Sequence, residues 1–210
     1  MKGWFMKILT KEERIRIKNA VKQAEAKSSG EFVTVLARKS DSYFYIPLIW
    51  SAVIALIVPI ILIYIFSFQN ITRILDVQFA TLLVLYLIFQ MEWVTILMTP
   101  GHIKKNQARR LAMEQFLIQN VAATKNRSGI LFFVSEAERY VEIIADKGIN
   151  ERVKPEEWQG IVDEFIENVR NKRICEGFLA AIERCSSILA LHFPPEGNDA
   201  NELSDKLIEI

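Results

Sequence analysis

The chain has 210 residues, 51% of them apolar and 24% charged, with a net charge of only +1 and a mean hydropathy of +0.17. So even a charge balance gives no basic footprint for nucleic acid. So high an apolar share beside ordinary charge content points to very apolar segments set next to soluble ones. The two cysteines, Cys175 and Cys185, fall in one predicted helix with about 15 Å of rise between them. That is too far for a bridge, and it fits a reducing compartment.

In chain order, the basic start at Met1 to Met6 lacks the apolar stretch and cleavage site of a signal peptide and reads as mature sequence. Thr10 followed by Glu13 is a capping-box pattern, opening a helix from Lys11 to about Lys27 with Ile17, Ala20, Val21 and Ala24 on one face. Ser28, Ser29 and Gly30 end it. Glu31 to Ala37 then reads as a strand apolar on both faces, which needs cover on both sides.

Ile46 to Phe66 carries no charge, and about 20 such residues cross a bilayer as a helix. Pro47 sits in its first turn, and Pro59 inside it predicts a kink. A second span is predicted from Phe79 to Met98, stopped by Thr99, Pro100 and Gly101, with Glu92 as its one charge. The loop Ser67 to Gln78 holds Arg73 matched by Asp76. The flank before the spans holds Lys2, Lys7, Lys11, Arg14, Arg16, Lys18, Lys22, Lys27, Arg38 and Lys39, and the flank after them Lys104, Lys105, Arg109 and Arg110. By the positive-inside rule both termini are cytoplasmic. Tyr43, Tyr45, Trp50 and Trp93 suit the interfaces. The cluster Lys104, Lys105, Arg109 and Arg110 is a membrane-surface clamp for anionic lipid.

Beyond the spans, Ile103 to Ala122 is predicted helical, with Ala108, Leu111, Ala112 and Phe116 as its stripe. Asn126 to Gly129 is a turn, Ile130 to Val134 a buried strand, and Tyr140 to Ala145 its hairpin partner. Pro155 starts a helix repeating Trp158, Ile161, Val162, Phe165 and Val169. A last helix, Cys175 to Leu191, buries Phe178, Ile182, Cys185 and Leu189 before an acidic tail from Pro194 to Ile210. Neither piece can bury its own apolar face. Residues 1–45 and 99–193 are therefore expected to share one layered domain, interrupted by the hairpin at 46–98.

Two stretches carry a resemblance. Glu25 to Val35 resembles the opening of TPM-domain proteins, and Gly129 to Ile149 resembles that family's central hairpin. Trp158, Glu176 and Gly177, His192 to Pro194 and Asn201 to Leu203 match the bacterial membrane branch, in which two spans interrupt the domain. The resemblance implies an α/β fold, an α/β/α sandwich with a small mixed sheet, seated at the bacterial inner membrane. Phosphatase activity is attributed to some members. Some bind divalent metal through acidic loop residues, and in those an Asp-Asn-Gly-like turn introduces the strand before the hairpin. Here that turn is Asn126, Arg127, Ser128, Gly129, with no carboxylate, so no cofactor is expected, and a divalent cation only as the alternative.

Carboxylates are the plausible catalytic stock. Glu31, Glu136, Glu138 and Asp146 sit at strand ends or in the hairpin turn. A cluster of Glu31, Glu138, Arg139 and Asp146 would hold a cation, with Glu138 and Asp146 as its ligands, or bind phosphate. Set against this is a polar turn with an ion pair. Glu92 is either a proton or ion site or an interfacial residue. Cys185 falls on a buried face, Cys175 near a helix start that would lower its pKa, and His102 and His192 read as helix-end residues. Three functions follow. The first is a non-catalytic interaction or assembly module whose partners are the bilayer and a membrane or cytoplasmic protein, with no nucleic acid. The second is a membrane-tethered phosphatase or hydrolase on the strand-end carboxylates. The third is a small conductor centred on Glu92.

Overall fold

The computed structural model describes residues 9–67, 70–124, 126–195, 203 and 206–210. The chain divides into two compact units, residues 1–40 with 105–210, and residues 41–104. Met1 to Met6, Lys2, Lys7, Asn201 and most of the predicted tail lie outside the described residues.

The first unit is a four-stranded sheet with helices on both faces. Helix α1 (Lys11–Glu25) starts on the expected box, with the Thr10 hydroxyl accepting from Glu13 N and the Glu13 carboxylate accepting from Thr10 N. Strand β1 (Glu31–Ala37) is buried throughout. It pairs in parallel with β2 (Gly129–Ser135), Glu31 opposite Gly129 and Ala37 opposite Ser135. Strand β3 (Tyr140–Ala145) returns antiparallel beside β2. Parallel neighbours need a long crossover, and the connection from β1 to β2 is where residues 41–104 lie.

Alternation along β1 and β2 sorts the core into two layers. Phe32, Leu36, Ile130, Phe132 and Val134 pack with α1 and with helices α7 (Pro155–Arg170) and α8 (Ile174–His192). Phe132, Phe165 and Phe178 meet edge to face at centroid distances of 5.1 to 5.6 Å. Val33, Val35, Ala37, Leu131 and Phe133 pack with Ala112 and Phe116 of α5 (Gly101–Ile118) and with Val121. The result is the expected α/β/α sandwich.

Two expectations for this unit need correction, and one further element appears. The helix after the spans ends at Ile118 rather than Ala122, because Asn120 takes φ 56° and a single 3₁₀ turn, Val121–Ala123, follows. A short helix α6 (Lys147–Asn150), capped by Asp146, comes after β3. The end of the chain is a strand rather than only an acidic tail. Strand β4 (Ile208–Glu209) adds to the free edge of β1 in parallel. Arg38 N donates to Ile210 O at 2.8 Å, Ile210 N to Leu36 O at 3.1 Å, and Arg14 pairs with Glu209 at 2.7 Å.

The second unit holds α2 (Tyr45–Tyr64), α3 (Ile71–Phe89) and α4 (Glu92–Met98). Helices α2 and α3 are both long and apolar enough to cross a membrane. They pack on each other, and the fully buried positions of α2 include the small residues Ser51 and Ala55, one turn apart. Small residues let helix backbones approach closely, and Ser51 satisfies its hydroxyl on Leu48 O at 3.0 Å. Pro59 lies inside a continuous α2.

The second span departs from the expected 79–98. Asn70 caps α3 by accepting from Arg73 N, so the helix begins at Ile71 and takes in Arg73 and Asp76, which the sequence reading assigns to the loop. It ends at Phe89, where Met91 turns extended and Thr95 Oγ1 donates to Phe89 O at 2.7 Å. Glu92 therefore opens α4 and is not a residue inside the span helix.

Candidate functional site

The sheet directions decide where the candidate carboxylates go. Glu31 begins β1, and Asp146 follows the last residue of β3, which runs against β2. Both therefore flank the start of β2: Glu31 N donates to Ser128 O at 3.2 Å and Asp146 N to Gly129 O at 2.9 Å. Glu138 and Arg139 lie in the β2–β3 turn at the far end. Seven-residue strands separate the two ends by roughly 20 Å. The structure brings Glu31 toward Asp146 and Glu138 toward Arg139, and it does not bring the four together.

At the near end, Asp146 is buried. Its Oδ1 accepts from Lys147 N at 2.7 Å, capping α6, and stands 3.6 Å from the Arg127 guanidinium. Its Oδ2 has no hydrogen-bond partner among the described residues. The loop reaches this place because position 148 is glycine, since a Cβ there would lie 2.8 Å from Arg127 O and 2.9 Å from Asn126 O. A shallow open depression beside it is lined by Arg127, Lys147, Gly148 and Glu151, and Lys147 pairs with Glu151 at 3.7 Å. This is the turn through which the resemblance would bring a divalent cation. A dication would have to share one carboxylate with a guanidinium already beside it, and like charges at that range repel. Among the described residues no three His, Cys, Asp or Glu side chains group closely enough to hold a metal ion. Among the described residues, those at this turn do not fit a divalent metal.

The far end contains two residues that the sequence reading missed. The Glu138 carboxylate accepts from Ser40 N at 3.0 Å through Oε1 and from the Ser135 hydroxyl through Oε2. The Ser40 and Ser135 hydroxyls meet at 2.8 Å. Because Ser135 gives its single proton to Glu138, Ser40 donates to Ser135. Glu136 N and Ala137 N also bond back to Ala37 O and Arg38 O. Both oxygens of Glu138 thus fasten the chain leaving β1 to the hairpin turn. The signal was a serine three residues before a glutamate in a turn; Ser40 carried none. Arg139 takes φ 53° in this turn, a left-handed conformation that closes it.

The thiols are poor nucleophiles. Burial pushes the Cys175 thiol up, with Arg16 opposing, so its place near the start of α8 does not lower its pKa as expected. Burial pushes Cys185 up to about 12. His102 is exposed in the first turn of α5, and the His192 carbonyl accepts from Arg152 at 2.8 Å. In the basic cluster Lys104 caps Ile96 O at 3.3 Å, Arg109 pairs with Glu142 at 3.6 Å, Arg110 with Glu114 at 3.7 Å, and Lys105 is exposed.

Comparison with known proteins adds two findings. Residues 89–188 match the family model described as the TPM domain. The fold is similar to the NMR structure of the BA42 protein from the psychrophilic bacterium Bizionia argentinensis, at a TM-score of 0.62 and 19% identity over 98% of each chain. No curated protein matches the chain.

Proposed function

We propose that the chain, whose residues 89–188 match the TPM-domain family model, is a two-span membrane protein of that family holding a cytoplasmic α/β module with a non-catalytic interaction or assembly role. The observation that carries this reading is the pair α2 and α3. At 1.5 Å per residue they run about 28 to 30 Å, the thickness of the hydrocarbon layer. Their large apolar side chains are mostly bare, Leu56 at 65% and Leu87 at 59% exposed among them. Bare apolar surface of this extent marks a membrane or protein contact, and the spanning length favours lipid. The basic flanks favour both termini on the cytoplasmic side.

The division of the carboxylates supports an interaction role over hydrolysis. A phosphoryl-transfer site needs charge-stabilising groups at one point, whereas Glu31 and Asp146 stand a strand length from Glu138 and Arg139. A conductor centred on Glu92 is disfavoured by its position in α4, past the end of α3.

Two measurements test the reading. The chain should resist alkaline carbonate extraction, and a cysteine at Ser67 should be labelled from outside the cell while one at Arg127 is labelled only after the inner face is opened. Extraction by carbonate, or labelling of Ser67→Cys only from within, would refute the anchor. Mild-detergent solubilisation should yield a stoichiometric complex larger than the chain alone, and a bare chain would refute the assembly role.

A further inference from the structure

Helix α5 carries two opposite stripes. Ala108, Ala112 and Gln115 are buried, and Ala112 joins the sheet's second core layer. Asn106, Arg110, Met113 and Leu117, spaced i, i+4, i+7 and i+11, lie about half a turn away and are all exposed. The outward stripe of a helix on a soluble domain is normally polar. Here Met113 is 45% and Leu117 65% exposed.

The charge along the same helix says what covers this stripe. Along α5 the chain has Lys104, Lys105, Arg109 and Arg110 against one carboxylate, Glu114. The pairs Arg109–Glu142 and Arg110–Glu114 are long, 3.6 and 3.7 Å, and both guanidiniums remain about two-thirds exposed. They hold little of the arginine charge from other partners. Long basic side chains beside bare Met and Leu match a surface that is anionic outside and apolar just beneath, with the side-chain stems lying along the apolar layer and the heads in the polar one. A protein partner would need a matching acidic rim and apolar centre, whereas an anionic leaflet offers both to any helix of this pattern.

We propose that the outward stripe of α5 docks on the anionic leaflet, with Met113 and Leu117 entering the acyl boundary and Arg109 and Arg110 reaching lipid phosphates. This rests on the membrane reading above and adds a second lipid contact, made by the α/β module itself.

The test uses the full chain in phosphatidylcholine vesicles with and without phosphatidylglycerol, carrying single nitroxides at Met113→Cys, Leu117→Cys, Leu83→Cys on α3, or Gln159→Cys on the exposed side of α7. Collisions with oxygen report lipid, and collisions with a water-soluble nickel chelate report solvent. The expected result is oxygen access at 113 and 117 in anionic vesicles and nickel access at 159. Removing two charges in R109Q/R110Q should lower the ratio of docked to undocked module about 25-fold, at about fivefold per charge. Both are surface residues, so the fold is retained. Nickel access at 113 and 117 with oxygen access at 83 overturns this inference and leaves the anchor standing. Shielding from both reagents, independent of lipid charge and lost as the protein is diluted in lipid, overturns it in favour of a second copy. Nickel access at 83 sinks the anchor reading itself, and this inference with it.

Discussion

A methyl group on Gly129 has nowhere to go. An ideal Cβ there would lie 2.2 Å from the Val121 carbonyl oxygen, 2.7 Å from Val121 Cγ1 and 3.1 Å from Val121 C. Ordinary contact is about 3.5 Å, so roughly 1.3 Å of relative movement is needed between β2 and the 3₁₀ turn. Strand β2 cannot supply it, because β1 and β3 hold it in register on both sides. The turn would have to move, taking with it Val121, which is fully buried against the sheet. Forced overpacking of this kind costs about 1 to 3 kcal/mol, and the obstacle being backbone puts Gly129→Ala at the upper end. For a chain of this size about 3 kcal/mol lowers Tm by roughly 6 to 12 °C. The assay is thermal unfolding in detergent micelles followed by far-ultraviolet circular dichroism. Gly101→Ala is the control, because its Cβ would meet nothing within 4 Å and it opens a helix where alanine is the better former. The double variant Gly129→Ala/Val121→Ala removes the 2.7 Å contact and leaves the 2.2 Å one, so it should not recover the loss. A Gly129→Ala protein within about 0.5 kcal/mol of wild type, or full rescue by Val121→Ala, would refute the close approach of that carbonyl.

Other outcomes follow from the same geometry. The raised thiol pKa values mean that the folded chain keeps protons which the unfolded chain releases above about pH 9. Stability should be unaffected by these groups below that pH; Cys185 makes it fall as pH rises toward 12, by up to about 1.4 kcal/mol per pH unit, and Cys175 acts in the same direction. Cys185→Ala should flatten that slope in pH-dependent urea unfolding, and an unchanged slope would refute the assignment. Deleting residues 208–210 removes the backbone pairing of β4 with β1 and the Arg14–Glu209 pair. It should cost about 1 to 3 kcal/mol in urea unfolding and promote aggregation through the uncovered edge, read by light scattering. Millimolar Ca²⁺ or Mg²⁺ should leave wild-type Tm unchanged, whereas Arg127→Asp, which sets a second carboxylate beside Asp146, should gain about 1.4 kcal/mol at tenfold the dissociation constant. A Tm rise in wild type would overturn the misfit with metal.

The comparison of sequence with structure turns on how far each signal reaches along the chain. The Thr10–Glu13 cap, the doubly apolar β1, and the stripes Trp158, Ile161 and Phe165 on α7 and Phe178, Ile182, Cys185 and Leu189 on α8 were legible because periodicity and capping act within a few residues. The second span was misplaced by a local competition. Asn70 supplies a cap strong enough to start α3 ahead of Arg73 and Asp76, where hydropathy alone prefers a later beginning. Strand β4 was illegible because two residues, Ile208 and Glu209, carry no pattern. They become a strand only because β1 leaves an edge open.

The candidate site shows the same divide. That Glu31, Glu138, Arg139 and Asp146 flank strands could be read from the sequence. Whether they meet depends on strand direction, and pairing across distant segments is set by which register buries both apolar faces. Parallel β1 and β2 with antiparallel β3 send Glu31 and Asp146 to one end and Glu138 and Arg139 to the other. Residue patterning by itself determined that there are two apolar helices and a layered α/β domain, since hydropathy and charge are local properties of residues. Only the tertiary structure decided that the carboxylates part company, that Arg127 stands beside Asp146, and that α5 turns Met113 and Leu117 outward. Each of these depends on which distant surfaces the core brings together.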